Sequence, residues 1–207
     1  MQALAERYIT VEEYWELEST SPVKHEYFDG CIYAMAGGSN RHAVVCTNAS
    51  AALSVRLRGK PCRAVSSEQR VKIEATGLET YPDTSVYCPP SRFEGKNDEV
   101  LLTPAVLIEV LSPSTSAYDK GDKFGHYKQI ESLRDYLLVE QKKMQVEHFH
   151  RLENGDWLLK TLSTLDAKVE LESIDCVLPL NELYDGVEFS NEPQLLRALT
   201  PAPENVF

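Results

Sequence analysis

The sequence predicts an α/β (α+β) fold: a mixed β-sheet with flanking helices and antiparallel strands added toward the C-terminus. Three observations predict it. Apolar residues recur at helical spacing through Val44, Val45, Ala49, Ala52, Leu53 and Leu57, marking a long amphipathic helix in the first third. The nearly continuous apolar run at residues 105–111 reads as a buried central strand; a helical stretch at 118–130 and a second apolar run at 136–139 follow, giving the order strand, helix, strand. The last third breaks into short alternating runs around the turn pair Asn154-Gly155.

Taken in order, Thr10 with Glu13 three residues on is a capping box that opens a short helix through Glu18, and Ser21-Pro22 ends it. Residues 25–28 and 31–35 flank Asp29-Gly30, the turn pair of a tight hairpin. Ser39 or Asn40 caps the main helix, and Gly59-Lys60-Pro61 stops it. Extended segments are expected at 62–65, 70–74, 84–88 and 105–111, then a helix at 118–130 with Phe124 and Tyr127 on its apolar face, then a strand at 136–139. Runs at 145–150, 157–162, 168–171 and 176–180 read as antiparallel additions at a sheet edge. With no repeat and no linker, a single domain over residues 1–207 is the economical organisation.

Composition excludes several classes. With 43% hydrophobic and 26% charged positions the chain is neither disordered nor fibrous. No apolar run approaches the ~18 residues of a membrane span, and the stretch from Met1 to Thr10 is polar, so a cytoplasmic protein without membrane contact is expected. Cys31, Cys46, Cys62, Cys88 and Cys176 are odd in number, scattered and without a C-x-x-C pair, and most are expected to be reduced core fillers. The net charge of −11 argues against indiscriminate coating of nucleic acid. It is unevenly placed: residues 152–207 carry Lys160, Lys168 and Arg197 against eleven acids, or −8, whereas between Gly30 and Ser67 there is no acid and Arg41, Arg56, Arg58, Lys60 and Arg63 are all basic.

Two acids stand out. Glu109 lies inside the apolar run, where an ionised carboxylate needs a cation, hydrogen bonds or a metal ion to compensate it. Asp83, after Tyr81-Pro82, enters another extended segment; if the two strands are neighbours the side chains share a face ~5 Å apart at Cβ, and a hard divalent cation would relieve their repulsion. The plainer alternative is a turn-capping Asp and a strand Glu paired with an Arg. Asp119, Lys123 and Tyr127 follow at four-residue spacing on one helix face, just beyond the end of the Glu109 strand. His148 and His150 alternate on a strand and share a face, but no third ligand is evident near them in the sequence, so structural or surface histidines are the expectation. A serine-hydrolase elbow and a Gly-rich phosphate loop are both absent.

The ordered set Tyr8-Ile9-Thr10-Val11-Glu12-Glu13-Tyr14, Glu26-Tyr27-Phe28-Asp29-Gly30, Asn40-Arg41-His42, Tyr81-Pro82-Asp83 and Ile108-Glu109-Val110-Leu111-Ser112-Pro113-Ser114-Thr115, with Asp119, Lys123 and Tyr127, resembles the Uma-two family of restriction-endonuclease-like proteins over residues 8–187. The resemblance implies a PD-(D/E)-x-K nuclease-type fold in which Asp83 and Glu109 are the two acids, with Glu26 as a further metal ligand or orienting group. The usual lysine position holds Leu111, so Lys123 is the candidate relocated cation, with Lys72 and Lys120 as fallbacks. His42 falls where the family places a histidine, as a proton carrier or only as a helix N-terminal residue. The implied function is a DNA endonuclease using Mg²⁺ or Mn²⁺, acting on nucleic acid as a homodimer. The alternatives are a non-catalytic nucleic-acid-binding or regulatory module contacting its partner through Arg41, Arg56 and Arg58, and a purely structural homo-oligomer.

Overall fold

The computed structural model describes residues 7–35 and 37–189; Glu192, Arg197 and Glu204 of the acidic C-terminal stretch, and both ends of the expected 1–207 domain, lie outside the described residues. Helix α1 (Val11–Thr20) opens on the expected capping box, Thr10 Oγ1 accepting from the Glu13 N–H and the Glu13 carboxylate from the Thr10 N–H. Strands β1 (His25–Phe28) and β2 (Cys31–Ala34) pair across Asp29 and Gly30, both at positive φ (46° and 75°), the conformation a two-residue hairpin turn with the right twist demands. Helix α2 (Asn40–Arg56) is capped by Ser39, whose hydroxyl accepts from the His42 N–H.

Six strands follow: β3 (Arg63–Ser66), β4 (Arg70–Ile73), β5 (Leu78–Thr80), β6 (Thr84–Tyr87), β7 (Phe93–Glu94) and β8 (Val100–Leu101). The long β9 (Pro104–Leu111) leads through α3 (Ser116–Lys120) and α4 (Asp122–Tyr127) to β10 (Asp135–Glu140), which pairs parallel with β9: the expected strand, helix, strand unit. Then come β11 (Val146–Arg151), β12 (Trp157–Leu162), β13 (Lys168–Leu171), a 3₁₀ turn (Glu172–Ile174), β14 (Cys176–Pro179) and α5 (Leu180–Leu183).

The architecture is mixed α+β with mixed sheets and flanking helices. Among the described residues there are, instead of one sheet, two of six strands, ordered β2-β1-β5-β4-β8-β7 and β12-β11-β10-β9-β6-β3, each with one parallel pairing, plus the separate hairpin β13-β14. β11 and β12 do extend a sheet edge antiparallel; β13 and β14 instead pair with each other, their apolar faces (Val169, Leu171, Leu178) joining the core under α2. The central strand is apolar on both faces because both are covered. Val106, Ile108 and Val110 face the core under α2, whereas Leu107 and Leu111 face a second core shared with Phe124 and Tyr127 of α4 and with Val71, Ile73, Leu78 and Leu101 of the first sheet. Glu109 alternates onto that second face.

One further expectation is corrected: the helix expected over 118–130 is two short helices that break at Gly121. Most of the cysteines, Cys31, Cys46 and Cys176, are free, while Cys62 and Cys88, one residue beyond the antiparallel β3–β6 register, form a disulfide with Cα atoms 4.1 Å apart. Among the described residues no helix is long and apolar enough to cross a membrane.

Candidate active site

Strand pairing brings the two acids together. In the antiparallel β6–β9 ladder Thr84 faces Ile108, so Asp83, the residue before β6, stands across from Glu109. Asp83 Oδ2 accepts the Val110 N–H at 2.7 Å and lies 3.4 Å from His42 Nε2, in the first turn of α2. His42 Nδ1 in turn lies 3.4 Å from Cys46 Sγ one helical turn on. The hydrogen bond to Asp83 raises the His42 pKa against the opposing pull of burial.

Glu109 belongs to a buried charge cluster. Lys123 reaches in from α4 and places Nζ 2.9 Å from Glu109 Oε1, 2.9 Å from Glu26 Oε1 of β1 and 3.6 Å from Asp119 Oδ1. Tyr127 donates its hydroxyl to the same Glu109 oxygen at 2.8 Å, and Thr80 of β5 donates to Glu26 Oε1. Glu26, Glu109, Asp119 and Lys123 are all at most 5% exposed. Burial alone would depress the lysine, but Glu109 and Glu26 hold its pKa well above the ordinary value, so it stays charged.

Three carboxylates around one ammonium leave the cluster over-supplied with negative charge, and Asp83 adds a fourth. Burial, with the like charges of Asp119 and Asp83, accordingly pushes Glu109 up to about 8 despite Lys123, and burial raises Asp119 as well. Glu26 Oε2, fully buried, has no hydrogen-bond partner among the described residues. An excess of buried carboxylate and an unclaimed carboxylate oxygen are what a hard divalent ion would satisfy, so the donor set fits such an ion. The cluster forms the floor of a cleft of about 830 Å³ whose lining also includes the cations Arg41 and Lys142.

Asp83, Glu109, Lys123, Glu26 and His42 thus all line one cleft. Their contacts differ from a simple ligand triad. Lys123 stands between Glu26 and Glu109, and the carboxylate of Asp83 groups instead with His42 and Cys46, whose ligand atoms lie within 4.8 Å of one another. The fallback lysines lie elsewhere, Lys72 on Glu94 at 2.7 Å and Lys120 on Glu147 at 2.9 Å. Leu111, 2% exposed, fills the second core. Thr80 and Cys46 were invisible as site residues. The four-residue step from His42 to Cys46 was the only signal for one, and nothing local pointed to the other.

The family model described as "Putative restriction endonuclease" (Uma2) matches residues 11–181. An uncharacterized protein of Synechocystis, slr1290, is 38% identical over 87% of this chain and 94% of its own, and a second, sll1609, is 31% identical over 78% and 92%. A crystal structure from Anabaena variabilis, described as a putative nuclease belonging to DUF820, superposes with a TM-score of 0.70 over 85% of this chain and 97% of its own at 20% identity, which establishes a shared fold. With most of its length matched by the model and by both relatives, the chain belongs to the Uma2 family.

Proposed function

We propose that the cleft hydrolyses phosphodiester bonds of nucleic acid, with DNA as the preferred substrate and a Mg²⁺ or Mn²⁺ ion held by Asp83 and Glu109 with the free oxygen of Glu26. The observation that carries this reading is the over-supply of buried carboxylate around Lys123 on the floor of an open cleft. A bound ion would supply Lewis acidity and a more acidic water. The chain's own residues do the rest. Lys123 takes the place of the strand lysine: from α4 it fixes Glu109 and Glu26 and offsets charge developing beside them. His42, held on Asp83 and biased toward its protonated form, is placed to hand a proton to a leaving oxygen. Arg41 and Lys142 give the backbone phosphates cationic partners.

The test is cleavage of single- and double-stranded DNA and of RNA by purified protein with Mg²⁺, Mn²⁺ or chelator, against Asp83→Asn and Glu109→Gln. Metal-dependent cleavage that falls by ~100-fold or more in each variant is expected. Activity unchanged in both rejects the assignment.

A second reading has its own observation: Lys123 already engages both Glu26 and Glu109, as in a self-contained ion network of a binding module. It predicts no turnover with any metal and binding that weakens with salt. Arg56 is committed to Glu182 at 2.6 Å, so of the expected Arg41, Arg56 and Arg58 the contacts would run through Arg41 and the exposed Arg58, with Lys142 of the cleft added.

A further inference from the structure

A second set of ligand-type side chains converges on the opposite face of the same sheet. His148 and His150 alternate on β11, and the antiparallel register sets His150 directly across from Asp135 at the start of β10. His148 Nε2 and His150 Nδ1 each stand 2.7 Å from Asp135 Oδ1. These three atoms lie within 4.8 Å of one another, and Ser173 Oγ, from the 3₁₀ turn, donates to the other oxygen, Asp135 Oδ2, at 2.6 Å. The third ligand that the sequence did not reveal is therefore an aspartate brought in by strand pairing.

We propose that Asp135, His148 and His150 bind one Zn²⁺ ion. Two imidazoles and one carboxylate are a borderline-soft N,N,O set suited to zinc rather than to Mg²⁺, which prefers oxygen alone. The Asp135 side chain is 0% exposed and its two oxygens are held by His148, His150 and Ser173, so the carboxylate is fixed where it can ligate. Ser173 plays the outer role such sites need, orienting the carboxylate through the oxygen that does not ligate. The His148 side chain is 4% exposed but that of His150 is 27% exposed, which gives the ion a way in and leaves a fourth position open to water. In a tetrahedral site with bonds of ~2.0–2.1 Å, ligand atoms stand about 3.3 Å apart. Both 2.7 Å contacts must therefore open by about 0.6 Å, through small rotations of the His148 and His150 rings.

The site is separate from the cleft. Glu109 pairs with Leu138, three residues along β10 from Asp135, or about 10 Å, and faces the other core. A bound ion would tie the sheet to the 3₁₀ turn between β13 and β14 through Ser173.

The experiment adds Zn²⁺ alone, and Co²⁺ as a spectroscopic probe, to the full chain carrying Asp83→Asn and Glu109→Gln. These changes disable the cleft and remove a ligand from the His42, Cys46 and Asp83 group. One equivalent of Zn²⁺ retained on dialysis, a rise in melting temperature with Zn²⁺ and the intense visible bands of four-coordinate Co²⁺ are expected. His150→Ala, at the exposed edge, should weaken binding by more than about tenfold and abolish the bands, and His148→Gln, which can keep a hydrogen bond to Asp135, should do the same. No bound Zn²⁺ in the cleft-disabled protein, or unchanged binding in both histidine variants while they melt cooperatively, would overturn the proposal.

Discussion

At the residue scale Lys123 decides the character of the site. It is the cation shared by Glu26 and Glu109, both at 5% exposure or less, and among the described residues no other cation lies within ion-pair distance of either. Replacing it with methionine of similar reach leaves two buried carboxylates unpaired, so unfolding free energy from urea melts should drop by about 3–5 kcal/mol, a loss that Glu26→Gln combined with Lys123→Met should partly recover. In the proposed hydrolysis Glu109 makes the rate pH-sensitive. Burial lifts it to about 8, so it carries a proton below that pH and becomes an anionic ligand above it. Metal-dependent cleavage in initial-rate assays should therefore climb with pH and level off above about 8, and a profile flat from acid to alkaline pH would show that Glu109 does not titrate in the rate-limiting form. Glu109 was legible in the sequence because a lone acid in an apolar strand has no local excuse. Its partner Glu26, 97 positions before Lys123, was placed by family resemblance rather than by any pattern, since a contact between a strand and a distant helix leaves no periodic trace.

At the element scale, segments with strong local signals match closely: the capping box of α1, the Asp29-Gly30 turn, the Ser39 cap of α2 and the parallel β9–β10 pair. Segments without such signals were missed. β7 and β8 are two residues each, too short for any alternation to register, and β5 owes its place to pairing with β1 and β4 on either side. Gly121 divides the expected 118–130 helix without moving Asp119, Lys123 and Tyr127 off the cluster, so the spacing argument survived a wrong element. The Cys62–Cys88 bridge was likewise unreadable, because only the β3–β6 register sets those residues opposite each other. It closes a loop of sequence separation 26, so the double variant Cys62→Ser/Cys88→Ser should unfold about 3 kcal/mol more easily, with m-values reporting a less constrained denatured state.

Across the whole molecule, the uneven charge of the sequence resolves into a docking relationship. The acid-free basic stretch is met by the acidic C-terminal third: Arg56 pairs with Glu182 at 2.6 Å and Lys60 with Asp175 at 2.7 Å. Both pairs are open to solvent and add little to stability. Their larger effect is to hide cations. Asp175→Asn with Glu182→Gln should barely move the urea midpoint yet raise retention of random-sequence DNA at low salt, with the difference vanishing as salt is added.

Glu26 comes from the first sheet, Glu109 from the second, and one ammonium grips both. That grip works as a rivet across the seam of the molecule. Whatever pries the sheets apart, whether heat, denaturant or a cavity cut near Leu101 or Leu107, also separates Glu26 from Glu109, so in the proposed hydrolysis turnover should fall as the seam opens.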